Sequence, residues 1–342
     1  MSELFKDGRV FLVAELSANH GNSLETALKT VDAAAASGAD AIKLQTYTAD
    51  TITIDCDNEY FRIDSGTIWD GRNLHDLYKE AYTPWEWHEP IQKRAHELGI
   101  EFFSTPFDNT AVDFLEAMNV PCYKIASFEV TDIPLISYAA SKGKPMIIST
   151  GIATVEEIQD AVDACVKAGN CDVTLLKCTS SYPAPVEDAN LATIVDIRDK
   201  FRVKVGLSDH TEGFASAVAA AALGAVMVEK HFILDRSIGG PDASFSMNPD
   251  EFKQMADVIR NIEKAMGRPS YNTTENPPKG RVFARSLFVV EDVKAGEEFT
   301  PENVRSIRPF GGMLPKHLPD VIGKKAVKDI KRGTPLSIDM IK

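Results

Sequence analysis

VKVGLSDHTEGFASAVAAAALGAVMVEKHF, residues 203–232, is the stretch whose reading decides the fold. Val203–Leu207 is a strand pattern, Gly213–Leu223 a helix of small residues, and Ala225–His231 a second strand. A strand, a helix and a strand in succession make a parallel βαβ unit. Both strands run out onto a histidine, His210 and His231.

Toward the N-terminus the same alternation repeats. Strand patterns fall at Val10–Glu15, Ala41–Gln45, Glu101–Ser104, Cys122–Ile125, Pro145–Ser149 and Val173–Lys177. Helical patterns such as Leu24–Ser37, Pro84–Leu98 and Val155–Ala168 lie between them. Eight strands each followed by a helix predict an α/β fold, a (β/α)8 TIM barrel, over residues 1–267. A doubly wound open sheet is the rival, but no GxGxxG follows the first strand. One connection, Thr46 to Thr83, is too long for a plain link and lies on the side where barrel active sites form.

Near residue 268 the character changes. RPSYNTTENPPKG, residues 268–280, has no apolar period and reads as a linker. Beyond it, Asp292–Thr300 and Asp329–Ser337 share the pattern D-[VI]-K-x-G-x-x-[FL]-[ST] at an offset of 37. A small module over 281–342 with two-fold internal symmetry is expected, built from short strands and glycine turns.

The chain has 342 residues, 44% hydrophobic and 25% charged, which suits a globular protein. A net charge of -13 argues against nucleic-acid partners. No run reaches the roughly 18 apolar residues of a membrane span, and Met1–Gly8 shows no signal peptide. Five cysteines without a CxxC pair fit free thiols in the cytoplasm.

Chemistry is expected where strands carry polar residues on the inward parity. His210 and His231 would be neighbours at the mouth, either ligating a divalent cation or simply satisfied by hydrogen bonds. Of the other five, His20, His75, His88, His96 and His317, at least three read as surface residues, and His20, just past the first strand, is a weaker site candidate. Lys43, Lys124 and Lys177 each end an apolar strand, and three converging cations would form an anion site. Thr105, Ser127, Ser149, Thr150, Thr179 and Ser208 could add hydroxyls at the same level, or serve as helix caps. Glu15, inward among the lysines, suits a general base or a structural ion pair.

These residues resemble the sialic acid synthase family, which makes nonulosonic acids. The matching segments are AELSANHGNS (14–23), KLQTY (43–47), FFSTPFD (102–108), YKIAS (123–127), IISTG (147–151), KCTSSYPAP (177–185), GLSDHTEG (206–213), EKHF (229–232) and GGPDASFSM (239–247). The C-terminal module resembles the family's antifreeze-like (SAF, β-clip) domain, including SIRPFGG (306–312). The resemblance implies condensation of phosphoenolpyruvate with the open-chain aldehyde of an amino sugar. It implies a divalent metal on His210 and His231, manganese first, with magnesium or cobalt as alternatives. Glu15 matches the acid/base residue, with Lys43 and Lys124 as its catalytic companions. Lys43, Thr105, Lys124, Ser127, Ser149 and Ser208 match positions that hold phosphate and carboxylate. Gln45, Tyr182 and Asp242 match positions near the sugar. Arg308 matches an arginine delivered to the other subunit of a domain-swapped homodimer. Ser180 stands where members that use N-acetylmannosamine carry an amide. The segment GTIWDGRNLHDLYKEAYTPWEWH (66–88) looks like the branch that takes a 2,4-diacetamido-2,4,6-trideoxy hexose. The alternative is a substrate of the legionaminic or N-acetylneuraminic type. Trp69 could serve that sugar, while Trp85 and Trp87 at a helix start suit packing.

Overall fold

The computed structural model describes residues 8–64, 66, 68–271 and 277–342. The expected linker falls partly outside these, at 272–276, as does most of the Met1–Gly8 segment. The chain divides into two compact units, Met1–Gly267 and Arg268–Lys342.

In the first unit eight parallel strands close into a barrel in sequence order. They are β1 (Phe11–Glu15), β2 (Ala41–Thr46), β3 (Glu101–Pro106), β4 (Tyr123–Ile125), β5 (Met146–Ser149), β6 (Val173–Cys178), β7 (Lys204–Asp209) and β8 (Met227–His231). Closure through the β1–β8 pairing, with Glu15 beside His231, rules out the open sheet. The main helices are α1 (Leu24–Ala36), α2 (Ala49–Ile52), α3 (Leu74–Ala81), α4 (His88–Glu97), α5 (Asn109–Ala117), α6 (Ile133–Ser141), α7 (Val155–Lys167), α8 (Ala192–Phe201), α9 (Ala215–Ala222) and α10 (Pro249–Met266). Local chemistry starts them. Ser23, Asp108 and Asp132 side chains accept from backbone N–H groups at the starts of α1, α5 and α6. Thr154 with Glu157, and Asn248 with Glu251, form reciprocal capping boxes on α7 and α10.

Strand parity sorts the interior. Val13, Ala41, Phe103, Cys122, Ile147, Leu176 and Met227 form a buried apolar layer inside the barrel. Ala14, Ile42, Leu44, Phe102, Tyr123, Ile125 and Val228 face the helices and join the larger core. Gly206 lets β7 approach closely: a Cβ there would sit 2.6 Å from both the Met227 carbonyl oxygen and Leu176 Cδ2.

The long connection from Thr46 to Thr83 is not a plain loop. It carries α2, α3 and a bridge between Arg62 and Asn73, with Ile63 and Gly71–Arg72 exchanging backbone hydrogen bonds.

The second unit holds β9 (Ser286–Val289) paired antiparallel with β10 (Val304–Ile307), and the short helix α11 (Leu318–Val321). The repeat seen in the sequence is a reciprocal clasp. Val293 and Ile330 exchange backbone hydrogen bonds of 2.9 and 2.8 Å. Lys294 pairs with Asp329 at 2.9 Å, and Lys331 with Asp292 at 2.7 Å. Each aspartate also accepts a backbone N–H from the other half, from Ala295 and Arg332. Phe299 and Leu336, equivalent in the repeat, are both fully buried.

Candidate active site

Two residues above the apolar layer, each strand presents a polar or ionisable group. These are Glu15, Lys43, Thr105, Lys124, Ser149, Cys178 and Glu229, with Ser208 two residues beyond Gly206. Period-two alternation alone carries the chain from floor to chemistry. Lys43 pairs with Glu15 and lies 3.4 Å from Glu229 Oε1. Its Nζ also donates to Thr105 Oγ1 at 3.3 Å. Lys124 Nζ donates to Ser149 Oγ at 2.8 Å and lies 3.6 Å from the same Glu229 oxygen. Ser208 donates to that oxygen at 3.4 Å.

All four charged groups are buried. Burial, only partly offset by Lys43, raises the Glu15 carboxyl to about 7. Burial acts in the same direction on Glu229, but Lys124 and Lys43 outweigh it and hold that carboxylate below its usual range. Burial lowers the Lys124 ammonium. For Lys43, burial is outweighed by Glu15 and Glu229, and its pKa is raised.

Lys177 does not join them. It has the opposite parity, so Cys178 faces the interior in its place, and Lys177 Nζ donates to the Cys178 carbonyl at 2.7 Å and Thr179 Oγ1 at 3.1 Å. The expected trio of cations is a pair. Thr150 and Thr179 also stand apart, each giving its hydroxyl to a backbone carbonyl at 3.1 Å.

The two histidines meet at the next level, with ring centroids 5.4 Å apart. Tyr182 packs over both, 4.4 Å from His210 and 6.2 Å from His231. His210 Nδ1 lies 2.9 Å from the Thr179 carbonyl, which makes it the donor and leaves Nε2 with the lone pair. His231 is largely buried with one side on the cavity, and burial plus the charge of His210 and nearby lysines hold it well below its usual pKa. It is therefore neutral. Its Nδ1 has no hydrogen-bond partner and lies 3.7 Å from Asp242 Oδ2. Of the two imidazoles at this mouth, His231 is neutral with an orphaned Nδ1, while at His210 burial is outweighed by Cys178 and the pKa is raised; the pair suits a divalent cation, which would displace the proton of His210. Among the described residues no third His, Cys, Asp or Glu completes a ready-made cluster, so the remaining positions would fall to water or substrate oxygen.

Of the other histidines, only His96 is exposed and His317 partly so, while His20, His75 and His88 are buried. The expectation of three surface histidines is corrected: His20 packs edge-on against Trp87 at 5.5 Å, and His88 hydrogen-bonds Thr46 at 2.9 Å.

Above this level opens a cavity of about 610 Å³. The barrel contributes Ser17, Gln45, Ser127, Glu129, Tyr182, His231 and Asp242 to its wall. The 46–83 segment contributes Tyr47, Ile52, Ile63, Trp69, Leu74, Leu77 and Tyr78. Trp69 packs against Tyr182 with ring centroids 5.5 Å apart and planes tilted by 50°, and donates its indole N–H to the Pro241 carbonyl at 3.2 Å. Trp85 packs on Phe114 at 4.8 Å and Trp87 on His20, as their place at a helix start predicts. Ser180 is half-buried beside Cys178, with Oγ to Sγ 3.8 Å. Arg308 is exposed in the second unit.

Three groups escaped the sequence reading. Glu229 bridges both lysines, yet only its shared parity with His231 signalled it. Cys178 lies 3.7 Å from His210 Nδ1; burial opposes its thiolate, but the imidazole outweighs burial and brings it down to about 7. Glu129 has a buried oxygen without a partner, and burial raises it to about 7.

Comparison with known proteins agrees with this geometry. The NeuB family model matches residues 30–271 and the SAF domain model residues 284–342. The chain is 50% identical over 330 residues to the pseudaminic acid synthase of Campylobacter jejuni, covering 96% of each. It is 47% identical over 332 residues to the pseudaminic acid synthase of Helicobacter pylori, covering 96% of this chain and 97% of that one. A crystal structure of N-acetylneuraminic acid synthetase from Leptospira borgpetersenii superposes with a TM-score of 0.69 at 32% identity, over 78% of this chain and 88% of that one. Barrel, polar layer, paired histidines and C-terminal clasp thus go together with a match over most of the chain, which belongs to the NeuB family and ends in a SAF domain.

Proposed function

We propose that this protein is a pseudaminic acid synthase. It joins phosphoenolpyruvate to the open-chain aldehyde of a 2,4-diacetamido-2,4,6-trideoxy hexose and releases phosphate. The observation that carries the reading is the polar layer itself. Two buried ammonium groups flanked by hydroxyls lie one level below the paired imidazoles of His210 and His231, so the barrel mouth would hold an anion and an aldehyde next to each other. The choice of sugar is supported by the 50% identity to the Campylobacter jejuni enzyme, against 32% to the N-acetylneuraminic acid synthetase. The apolar wall of Ile52, Ile63, Leu74 and Leu77 suits a deoxy, acylated sugar.

In the reaction the C3 carbon of phosphoenolpyruvate bonds to the aldehyde carbon, water is consumed, and the carbon–oxygen bond to phosphate breaks. Lys43 and Lys124, with Thr105, Ser149 and Ser208, hold the phosphate and carboxylate. Ser127 adds a hydroxyl from the cavity wall. A divalent cation, Mn2+ before Mg2+ or Co2+, would be held by His210 and His231 and would polarise the aldehyde oxygen. Glu15, with its pKa raised to about 7 by burial, takes and returns a proton near the carbon under attack. Gln45, Tyr182 and Asp242 orient the sugar, with Ser180 nearby. We also propose a homodimer in which each subunit's Arg308 meets the sugar in the other's barrel. Five free cysteines suit the reducing cytoplasm. Among the described residues, no helix is long and apolar enough to cross a membrane.

The test is a panel of amino sugars incubated with the purified enzyme, phosphoenolpyruvate and Mn2+, following phosphate release. Turnover with the 2,4-diacetamido-trideoxy sugar is expected. Turnover with N-acetylmannosamine alone would refute the assignment.

A further inference from the structure

Behind the two histidines lies a buried ion pair that the reaction leaves unused. Asp209 precedes His210 at the end of β7, and Lys230 precedes His231 on β8. Both have the parity that faces the helices, where their neighbours Leu207, Val228 and Phe232 belong to the apolar core. Both side chains are only 2% exposed, and Lys230 Nζ donates to Asp209 Oδ2 at 2.9 Å. Neither lines the cavity. Charged side chains are almost never buried this far without a partner, yet an apolar pair of similar volume is often as stable or more so. Stability alone therefore does not account for this pair.

Its geometry points to the histidines. Asp209 and Lys230 sit directly opposite each other, the last of the register pairs between the two strands after Leu207 with Val228 and Ser208 with Glu229. His210 and His231 each stand one residue further on. The same ammonium donates to the Thr211 carbonyl at 2.7 Å. Asp209 Oδ1 accepts the Thr211 N–H at 3.0 Å and the Thr211 hydroxyl at 2.8 Å. The residues on both sides of His210 are thus tied to each other and to the residue before His231. One ammonium spans the two strand ends behind imidazole rings whose centroids are 5.4 Å apart.

We infer that Lys230 and Asp209 are positioning residues whose ion pair fixes the spacing of His210 and His231, and so sets how tightly the two imidazoles hold a divalent cation. The inference rests on the proposed metal site. It is tested by titrating the purified, substrate-free protein with Mn2+, followed by electron paramagnetic resonance, beside thermal unfolding of the metal-free protein. Lys230→Met alone would strand a buried carboxylate, so the test uses the double variant Asp209→Asn/Lys230→Met. It removes both charges, and the asparagine oxygen still accepts from Thr211, so the link between the strands is what is cut. The double variant should melt within about 5 °C of the parent. It should bind Mn2+ about 10–100-fold more weakly, the effect expected of groups that orient metal-bound histidines. Mn2+ binding within about twofold of the parent would overturn the inference. So would weaker binding matched by a larger fall in melting temperature, which is the mark of a loosened barrel. His210→Ala separates the two readings. If it loses Mn2+ while the double variant does not, the metal site stands and this inference falls. If it binds Mn2+ as the parent does, the metal assignment itself fails, and the inference with it.

Discussion

Replacing Lys124 with methionine tests the anion site most directly. The side chain is buried, donates to Ser149 at 2.8 Å and lies 3.6 Å from Glu229. Methionine keeps the length and apolar stem and removes only the charge. Losing one partner of a buried, hydrogen-bonded charge pair costs roughly 2–5 kcal/mol. At about 1.4 kcal/mol per decade, kcat/KM for phosphoenolpyruvate should fall between about 30-fold and several thousandfold. Stability should move somewhat less. Burial already strains the Lys124 ammonium, and Glu229 keeps Lys43 at 3.4 Å as its counter-ion. The loss on unfolding should therefore be about 1–3 kcal/mol, the cost of leaving a buried polar group one partner short. Phosphate release at varied phosphoenolpyruvate, beside urea unfolding, reads both quantities. A kcat/KM within about threefold of the parent would refute the reasoning, as would an activity loss explained by unfolding.

Glu129→Gln should flatten the pH dependence of stability. Its folded pKa, about 7, lies above the ordinary 4.5, so its contribution is full below 4.5 and is lost as pH rises through 7. At pH 8 the glutamine variant should be more stable by up to about 3 kcal/mol in urea unfolding, and a parallel pH profile would count against this. Chelation should abolish turnover and Mn2+ restore it, with His210→Ala and His231→Ala both inactive; normal metal dependence in either variant would remove that residue from the ligand set. Gly206→Ala should destabilise by roughly 1–3 kcal/mol, because its Cβ would meet the Met227 carbonyl oxygen at 2.6 Å. Thermal unfolding at the parent's midpoint would contradict that.

Much of this was legible before any coordinates. Barrel and clasp were readable because both are periodic. Strand alternation writes itself as VKVGLSDH and VMVEKH, and the clasp as two copies of one pattern. The same parity that correctly placed Lys43 and Lys124 should have excluded Lys177, whose neighbour Cys178 takes the inward position. Its place at a strand end matches theirs, but its phase differs by one residue, and one residue turns a side chain from interior to exterior. The burial of His75 and His88 is not legible in the sequence for a different reason. They lie on loops and helices of the 46–83 roof and its supports, where burial depends on tertiary contact that no local period encodes.

The acidic composition raised a question that the polar layer answers. A protein of net charge -13 has to gather anions with a local device. Two bare ammonium groups inside a barrel would each cost several kcal/mol in lost hydration, and their pKa values would fall. Glu15 and Glu229 offset part of that cost, with Glu229 held ionised within reach of both lysines before substrate arrives. The more distant acidic surface is screened over about 8 Å at physiological salt, so it acts weakly on a buried anion. The same lysines also serve the level above. Their charge, added to burial and to His210, depresses His231 and keeps its lone pair free. An imidazole left protonated there would repel a cation. The field that readies the layer for an anion therefore also suits His231 to the proposed metal, one strand level above.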